Sequence, residues 1–108
     1  MTTRFGLTES TIHKIGGVFA HHDAIEKAVV YGSRAKGNYT NGSDIDLTLF
    51  CRPETDISAH DIARILNEID DLLLPYTIDL SVFDKLSNVK LREHIERVGQ
   101  VFYQRDPE

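Results

Sequence analysis

The chain has 108 residues, 41% of them hydrophobic and 27% charged, with a net charge of −5. That size suits one globular domain, residues 1–108, with enough chain to bury a core. The sequence lacks the basic footprint of direct nucleic-acid binding. It also lacks an apolar run near the roughly 20 residues of a membrane helix and the apolar core of a signal peptide, and its single Cys51 excludes an internal disulfide. A cytoplasmic protein is expected.

Residues 1–7 read as a loose lead-in. Thr8 or Ser10 can cap a first helix running to about His22, with Ile12, Ile15, Val18 and Phe19 on one face. Gly16-Gly17 weakens this helix, by up to about 1 kcal/mol per glycine, or lets another element pack closely. Residues 25–31 form a strand closed by Gly32-Ser33, and residues 33–36 suffice for one helical turn before Gly37. A turn-rich connector, NYTNGS, leads to the clearest strand, residues 44–50. There Ile45, Leu47 and Leu49 point one way, and Asp44, Asp46, Thr48 and Phe50 the other. Ser58 can cap a long helix over residues 59–74, ended by Pro75. Residues 77–83 read as a third strand, with Asp79, Ser81 and Phe83 on its polar face. A last helix spans about residues 88–98, and residues 101–103 suit a short edge strand. None of the five histidines pairs at metal-ligand spacing, so surface or helix-end roles are expected.

The chain is organised around residues 32–46, GSRAKGNYTNGSDID. The short connector predicts antiparallel pairing of the first two strands. The helical crossover predicts parallel pairing of the second and third. Gly32-Ser33, Asp44, Asp46 and Asp79 then meet at one sheet edge. Alone, the D-x-D is equally the start of a half-exposed strand. Converging carboxylates are different: two unit charges ~4 Å apart repel by about 4 kcal/mol at an effective dielectric of about 20. A divalent cation relieves that repulsion, and oxygen-only ligands favour Mg²⁺ or Mn²⁺. At the turn, Gly32 permits close approach of backbone to a phosphate, and the free N–H groups of the next helical turn suit an anion. Ser33 adds a hydroxyl, and Arg34 and Lys36 add positive charge that serves either a phosphate or the solvent. GxxxxGK[ST] is absent, so this is not a Walker loop.

Gly32-Ser33, ten intervening residues, then Asp44-Ile45-Asp46 resembles the GS-x10-DxD motif of the DNA polymerase β-like nucleotidyltransferases, and most of all their minimal nucleotidyltransferase branch. The resemblance implies an α+β fold with a small mixed sheet of about three core strands packed with helices. It implies that Gly32 and Ser33 bind nucleotide phosphate, that Asp44 and Asp46 ligate two Mg²⁺ ions, and that Asp79 is the third carboxylate, with Asp84 as fallback. The implied reaction moves a nucleoside monophosphate, AMP from ATP, onto an acceptor. The implied partner is a separate acceptor or substrate-binding protein, such as a HEPN-domain toxin that this chain would counter as antitoxin. The alternative is a non-catalytic antitoxin or regulatory module of a two-protein complex. Lys36 stands where the family commonly has Arg, keeping charge but losing the bidentate fork.

Overall fold

The computed structural model describes residues 3–106. Within the lead-in, whose residues 1–2 lie outside the described residues, the chain from Thr3 forms a small hairpin, β1 (Thr3–Arg4) and β2 (Leu7–Thr8), rather than a loose run. Its turn holds Phe5 and Gly6 at φ of 60° and 73°. Phe5 stacks on Phe102 at 6.2 Å, and Leu7 is wholly buried, which anchors the hairpin to the core.

Helix α1 (Glu9–Ala20) starts where Thr8 Oγ1 accepts the Thr11 N–H at 3.2 Å. Strand β3 (Ile25–Tyr31) leads into a single helical turn, α2 (Ser33–Lys36), and the connector then delivers β4 (Ile45–Cys51). Ser58 and Asp61 form a reciprocal capping box that begins α3 (Ala59–Asp70). This helix stops before the expected residue 74. Leu72 and Leu73 donate back only three residues, and Leu73 sits at φ 55° and is 88% exposed. The early stop lets the chain swing round so that Thr77 C=O accepts the Ile45 N–H at 2.9 Å.

Strand β5 (Ile78–Val82) is shorter than expected, because Phe83–Lys85 turns into a 3₁₀ helix. Asn88 caps α4 (Val89–Val98), and β6 (Gln100–Gln104) closes the order β5-β4-β3-β6. The sheet therefore has four strands, the expected three plus the edge strand. β3 pairs antiparallel with β4 and β6, and β4 pairs parallel with β5.

α1 and α3 cover one face of the sheet. Ile45, Leu47 and Leu49 are wholly buried there among Ile15, Phe19 and Ile65, each contributing roughly 1.5–3 kcal/mol by burial. His22 Nε2 lies 2.6 Å from Glu68 Oε2 and ties the chain after α1 to α3. α4 covers part of the other face, over Val29, Tyr31 and Phe83.

Gly16 and Gly17 do not serve a close approach. A β-carbon at Gly16 would make ordinary contact with Tyr103, and one at Gly17 would meet open space. No helix among the described residues is long and apolar enough to cross a membrane.

Candidate active site

Strand phase and register build the site. Tyr31 pairs with Asp46 across β3–β4, and Asp46 pairs with Asp79 across β4–β5. In-register residues of neighbouring strands share a face. Tyr31, Asp46 and Asp79 thus form one row on the face that carries α4. The next row is Val29, Thr48 and Ser81, where Ser81 Oγ donates to the buried Thr48 Oγ1 at 2.9 Å. Asp44 lies just ahead of β4, exposed, and its charge is felt at Asp46.

Gly32 follows Tyr31 at φ 74°, ψ −152°, a region open essentially to glycine alone. A β-carbon there would overlap the Asp46 carboxylate at Oδ2. The turn and the Asp46 carboxylate therefore pack directly against each other. Lys36 N–H bonds to Gly32 C=O at 3.1 Å as the first bond of α2, so the N–H groups of Ser33 and Arg34 precede it. Ser33 is half-buried and Lys36 is exposed.

Burial, and then the charges of Asp79 and Asp44, push the Asp46 carboxyl up. Burial also pushes the Tyr31 phenol up; a Ser81 hydrogen bond opposes this, and the charges of Asp79 and Asp46 add to it. Both shifts report like charge gathered at a partly desolvated edge. Among the described residues no three His, Cys, Asp or Glu side chains stand close enough together to enclose a metal ion. Asp46 and Asp79 stand as register-aligned oxygen donors, with Asp44 just ahead of the strand, and the three do not form a closed ligand set. The donor chemistry fits a hard divalent cation, whose charge would offset the burial and the like charge that raise Asp46. Asp84 is exposed beyond the end of β5, in the 3₁₀ turn, and is not part of the row.

Arg34 corrects an expectation. It was expected to offer charge to a phosphate or the solvent, yet it is only 2% exposed. Its Nη1 donates to Phe5 C=O at 2.9 Å, and its Nη2 and Nε donate to Ser43 C=O at 2.9 and 3.1 Å. The rings of Tyr39 and Tyr76 lie 5.3 and 5.1 Å from the guanidinium carbon. Arg34 fastens the connector ahead of Asp44 to the N-terminal hairpin, so of the two basic residues at the turn only Lys36 remains exposed.

Sequence reasoning did not single out Tyr31, Thr48 or Ser81 as site neighbours. The signal was available: Tyr31 immediately precedes Gly32, and Thr48 and Ser81 share the phase of Asp46 and Asp79. Cys51 lies half-buried at the far end of β4, where burial pushes its thiol up.

A cleft of about 520 Å³ lies between α3 and the start of β5. It opens on the helix-covered side of the sheet, and Ile78 in its wall is out of phase with Asp79.

Several solved structures share the fold. A toxin–antitoxin complex with AMP-PNP aligns at TM-score 0.71 and 15% identity, over 87% of this chain and 73% of that one. A mutant MntA–HpeT toxin–antitoxin complex aligns at 0.68 and 12%, over 87% and 73%. A candidate nucleotidyltransferase from Sulfolobus solfataricus aligns at 0.52 and 18%, over 96% and 91%. At these identities the likeness concerns the fold. No curated protein gives a significant match. The family model described as "Polymerase beta, Nucleotidyltransferase" matches residues 13–108. With the GS turn, the D-x-D strand and the mixed sheet, that match makes the chain a member of the polymerase β nucleotidyltransferase family.

Proposed function

We propose that this nucleotidyltransferase moves AMP from ATP onto a hydroxyl of a separate protein, in a divalent-metal-dependent reaction. The observation that carries the proposal is the row of Asp46 opposite Asp79, with Gly32 packed against the Asp46 carboxylate. Ser33 and the N–H groups at the start of α2 receive the triphosphate, and Lys36 supplies positive charge beside it. Asp44, Asp46 and Asp79 would hold the divalent ions, Mg²⁺ or Mn²⁺, that neutralise phosphate charge and stabilise the leaving group. The acceptor hydroxyl oxygen forms a bond to the α-phosphorus as the bond to the bridging oxygen breaks. Pyrophosphate leaves, and Asp79, the exposed member of the row, accepts the hydroxyl proton.

The family's general use of divalent metals supports the cation. A neighbour of this fold solved with AMP-PNP supports an adenine nucleotide, and the toxin–antitoxin neighbours support a protein acceptor. A HEPN-domain toxin is the acceptor that the motif resemblance favours. Use of ATP would place the reaction in the cytoplasm.

The test is thermal unfolding with and without Mg-ATP. A ligand at 100 times its Kd stabilises by about 2.7 kcal/mol, which raises Tm by several degrees. Asp44→Asn with Asp46→Asn should remove the shift. No shift at millimolar Mg-ATP would overturn the proposal. Incubation with α-labelled ATP and the protein encoded beside this chain should then label that neighbour, and the double variant should not.

A further inference from the structure

The acceptor must reach a row of side chains that ends on an edge strand, and the main chain of that strand shows how. Ile45 N–H donates to Thr77 C=O in the parallel pairing of β4 with β5. In a parallel ladder alternate residues of one strand turn both main-chain groups toward the partner. Residues 77, 79 and 81 therefore face β4, and Ile78 and Leu80 turn their N–H and C=O groups outward. No hydrogen bond from another element reaches those groups among the described residues. The C-terminal end of β5 is closed by the 3₁₀ turn, where Lys85 Nζ donates to Ile57 C=O at 2.6 Å. Val82, outward by the same alternation, is buried at 6% exposure where the chain enters that turn, so the accessible stretch is the two residues flanking Asp79.

Natural edge strands are commonly blunted by Lys, Pro or a bulge. β5 reads IDLSV and pairs with β4 without irregularity. The opposite edge differs, because the pairing of β6 with β3 shifts between Ala28 and Val29.

We infer that β5 is the docking edge for the acceptor, which binds as an added β-strand: an extended protein segment with basic flanks. This inference rests on the nucleotidyl-transfer reading of the same site. Strands in a sheet lie about 4.8 Å apart, so the residue of the added strand opposite Asp79 lands beside the carboxylate row, on its face. That position takes the hydroxyl-bearing side chain. The residues before and after it point to the other face, over the cleft walled by Leu66, Leu74, Tyr76 and Ile78. Those positions take apolar side chains.

Charge selects the flanks. Asp70 stands at the cleft rim, Asp71 follows it exposed, and the cleft wall holds no basic residue. Arg34 behind Tyr76 is buried and already bonded to the carbonyl oxygens of Phe5 and Ser43. An acidic segment would be repelled, and lysines or arginines on either side of the docked strand would be favoured.

The test uses ¹⁵N-labelled protein and a synthetic peptide of alternating Val and Thr around one Tyr, with two Lys at each end. Docking should slow amide exchange at Ile78 and Leu80 by about tenfold or more, the protection expected of newly made strand bonds. It should leave Asp79 and Ser81, already bonded to β4, little changed. Leu80→Pro removes one outward N–H without touching the β4 ladder and should abolish protection while the Mg-ATP thermal shift survives. Asp70→Lys with Asp71→Lys, both at exposed positions, should weaken the Lys-flanked peptide and favour a Glu-flanked one. No protection at millimolar peptide, equal protection by the Glu-flanked peptide, or protection confined to another segment would each overturn the docking edge. A missing Mg-ATP shift instead overturns the nucleotide reading, which leaves the exchange result to stand on its own.

Discussion

Replacing Arg34 with Lys separates an arginine that builds the site from one that binds phosphate. The guanidinium reaches Phe5 C=O through Nη1 and Ser43 C=O through Nη2 and Nε, at 2.9, 2.9 and 3.1 Å. A lysine ammonium is a single point and can serve one of those two places, not both. About two charge-assisted hydrogen bonds are lost, each worth roughly 1.5–3 kcal/mol. Water entering the space recovers part of that, leaving a net cost of about 3 kcal/mol. At an unfolding entropy of about 2.1 cal/mol/K per residue, 108 residues lose about 4 °C of Tm per kcal/mol. Arg34→Lys should therefore melt about 10–15 °C below wild type. Calorimetric titration of the folded variant at low temperature should give a Kd for Mg-ATP within about twofold of wild type, a difference under 0.5 kcal/mol. The reasoning fails if Tm is unchanged while nucleotide affinity drops, because Arg34 would then be touching the phosphates.

Asp46→Asn should stabilise the ligand-free protein near neutral pH. The Asp46 carboxyl is pushed up on folding, by burial first and then by Asp79 and Asp44, so the folded state holds its proton longer than the unfolded state. Wild-type stability accordingly falls as pH rises from the ordinary aspartate range through the higher folded value. The variant lacks this loss and should gain on wild type across that window in urea denaturation from about pH 3 to about pH 7; a less stable variant at neutral pH would refute the assignment. Gly32→Ala forces a β-carbon into the Asp46 carboxylate at a glycine-only backbone angle. It should cost about 1–3 kcal/mol in thermal unfolding and remove transfer activity; a wild-type melting curve would contradict the packing. Gly17→Ala, mid-helix with open space around it, should add about 0.5–1 kcal/mol, or about 2–4 °C of Tm. A fall in Tm would mean that α1 needs the glycine.

What was legible in the sequence was local. Period-two alternation phased Asp46 and Asp79 correctly, and connector lengths gave the two strand pairings that align them, while Asp44, expected to open the strand, falls just ahead of it. Caps at Thr8 and Ser58 mark helix starts because a side-chain oxygen bonds an amide three residues on. What was not legible depends on distant partners. The buried role of Arg34 is set by a carbonyl at Phe5, 29 residues away, and nothing beside Arg34 in the sequence announces it. Arg105 is similar: its guanidinium donates to Ile25 C=O at 2.8 Å and His22 C=O at 2.9 Å. The end of α3 was misplaced because Leu72, Leu73 and Leu74 continue the apolar pattern beyond the helix. Leu73 turns outward, and the chain bends to deliver Thr77 to Ile45.

The two faces of the sheet explain why the proposed site sits where it does. On the face under α1 and α3, Ile45, Leu47 and Leu49 are wholly buried, and an ionised carboxylate there would cost several kcal/mol. On the other face α4 closes only part of the surface. The row of Val29, Thr48 and Ser81 is sealed at its centre, where Thr48 is wholly buried. One row further along, exposure rises across the strands: Tyr31 is 8% exposed, Asp46 half-buried and Asp79 exposed. Electrostatic stabilisation of a transferring phosphoryl group strengthens as water is excluded, yet both substrates must still reach the carboxylates. A single in-register row running from buried to exposed meets both demands. The same gradient pushes the Asp46 carboxyl up and leaves Asp79 beside an unpaired strand edge. The stability lost at Asp46 and the open edge at β5 follow from one arrangement, so capping that edge with an engineered strand should stabilise the sheet while blocking the acceptor.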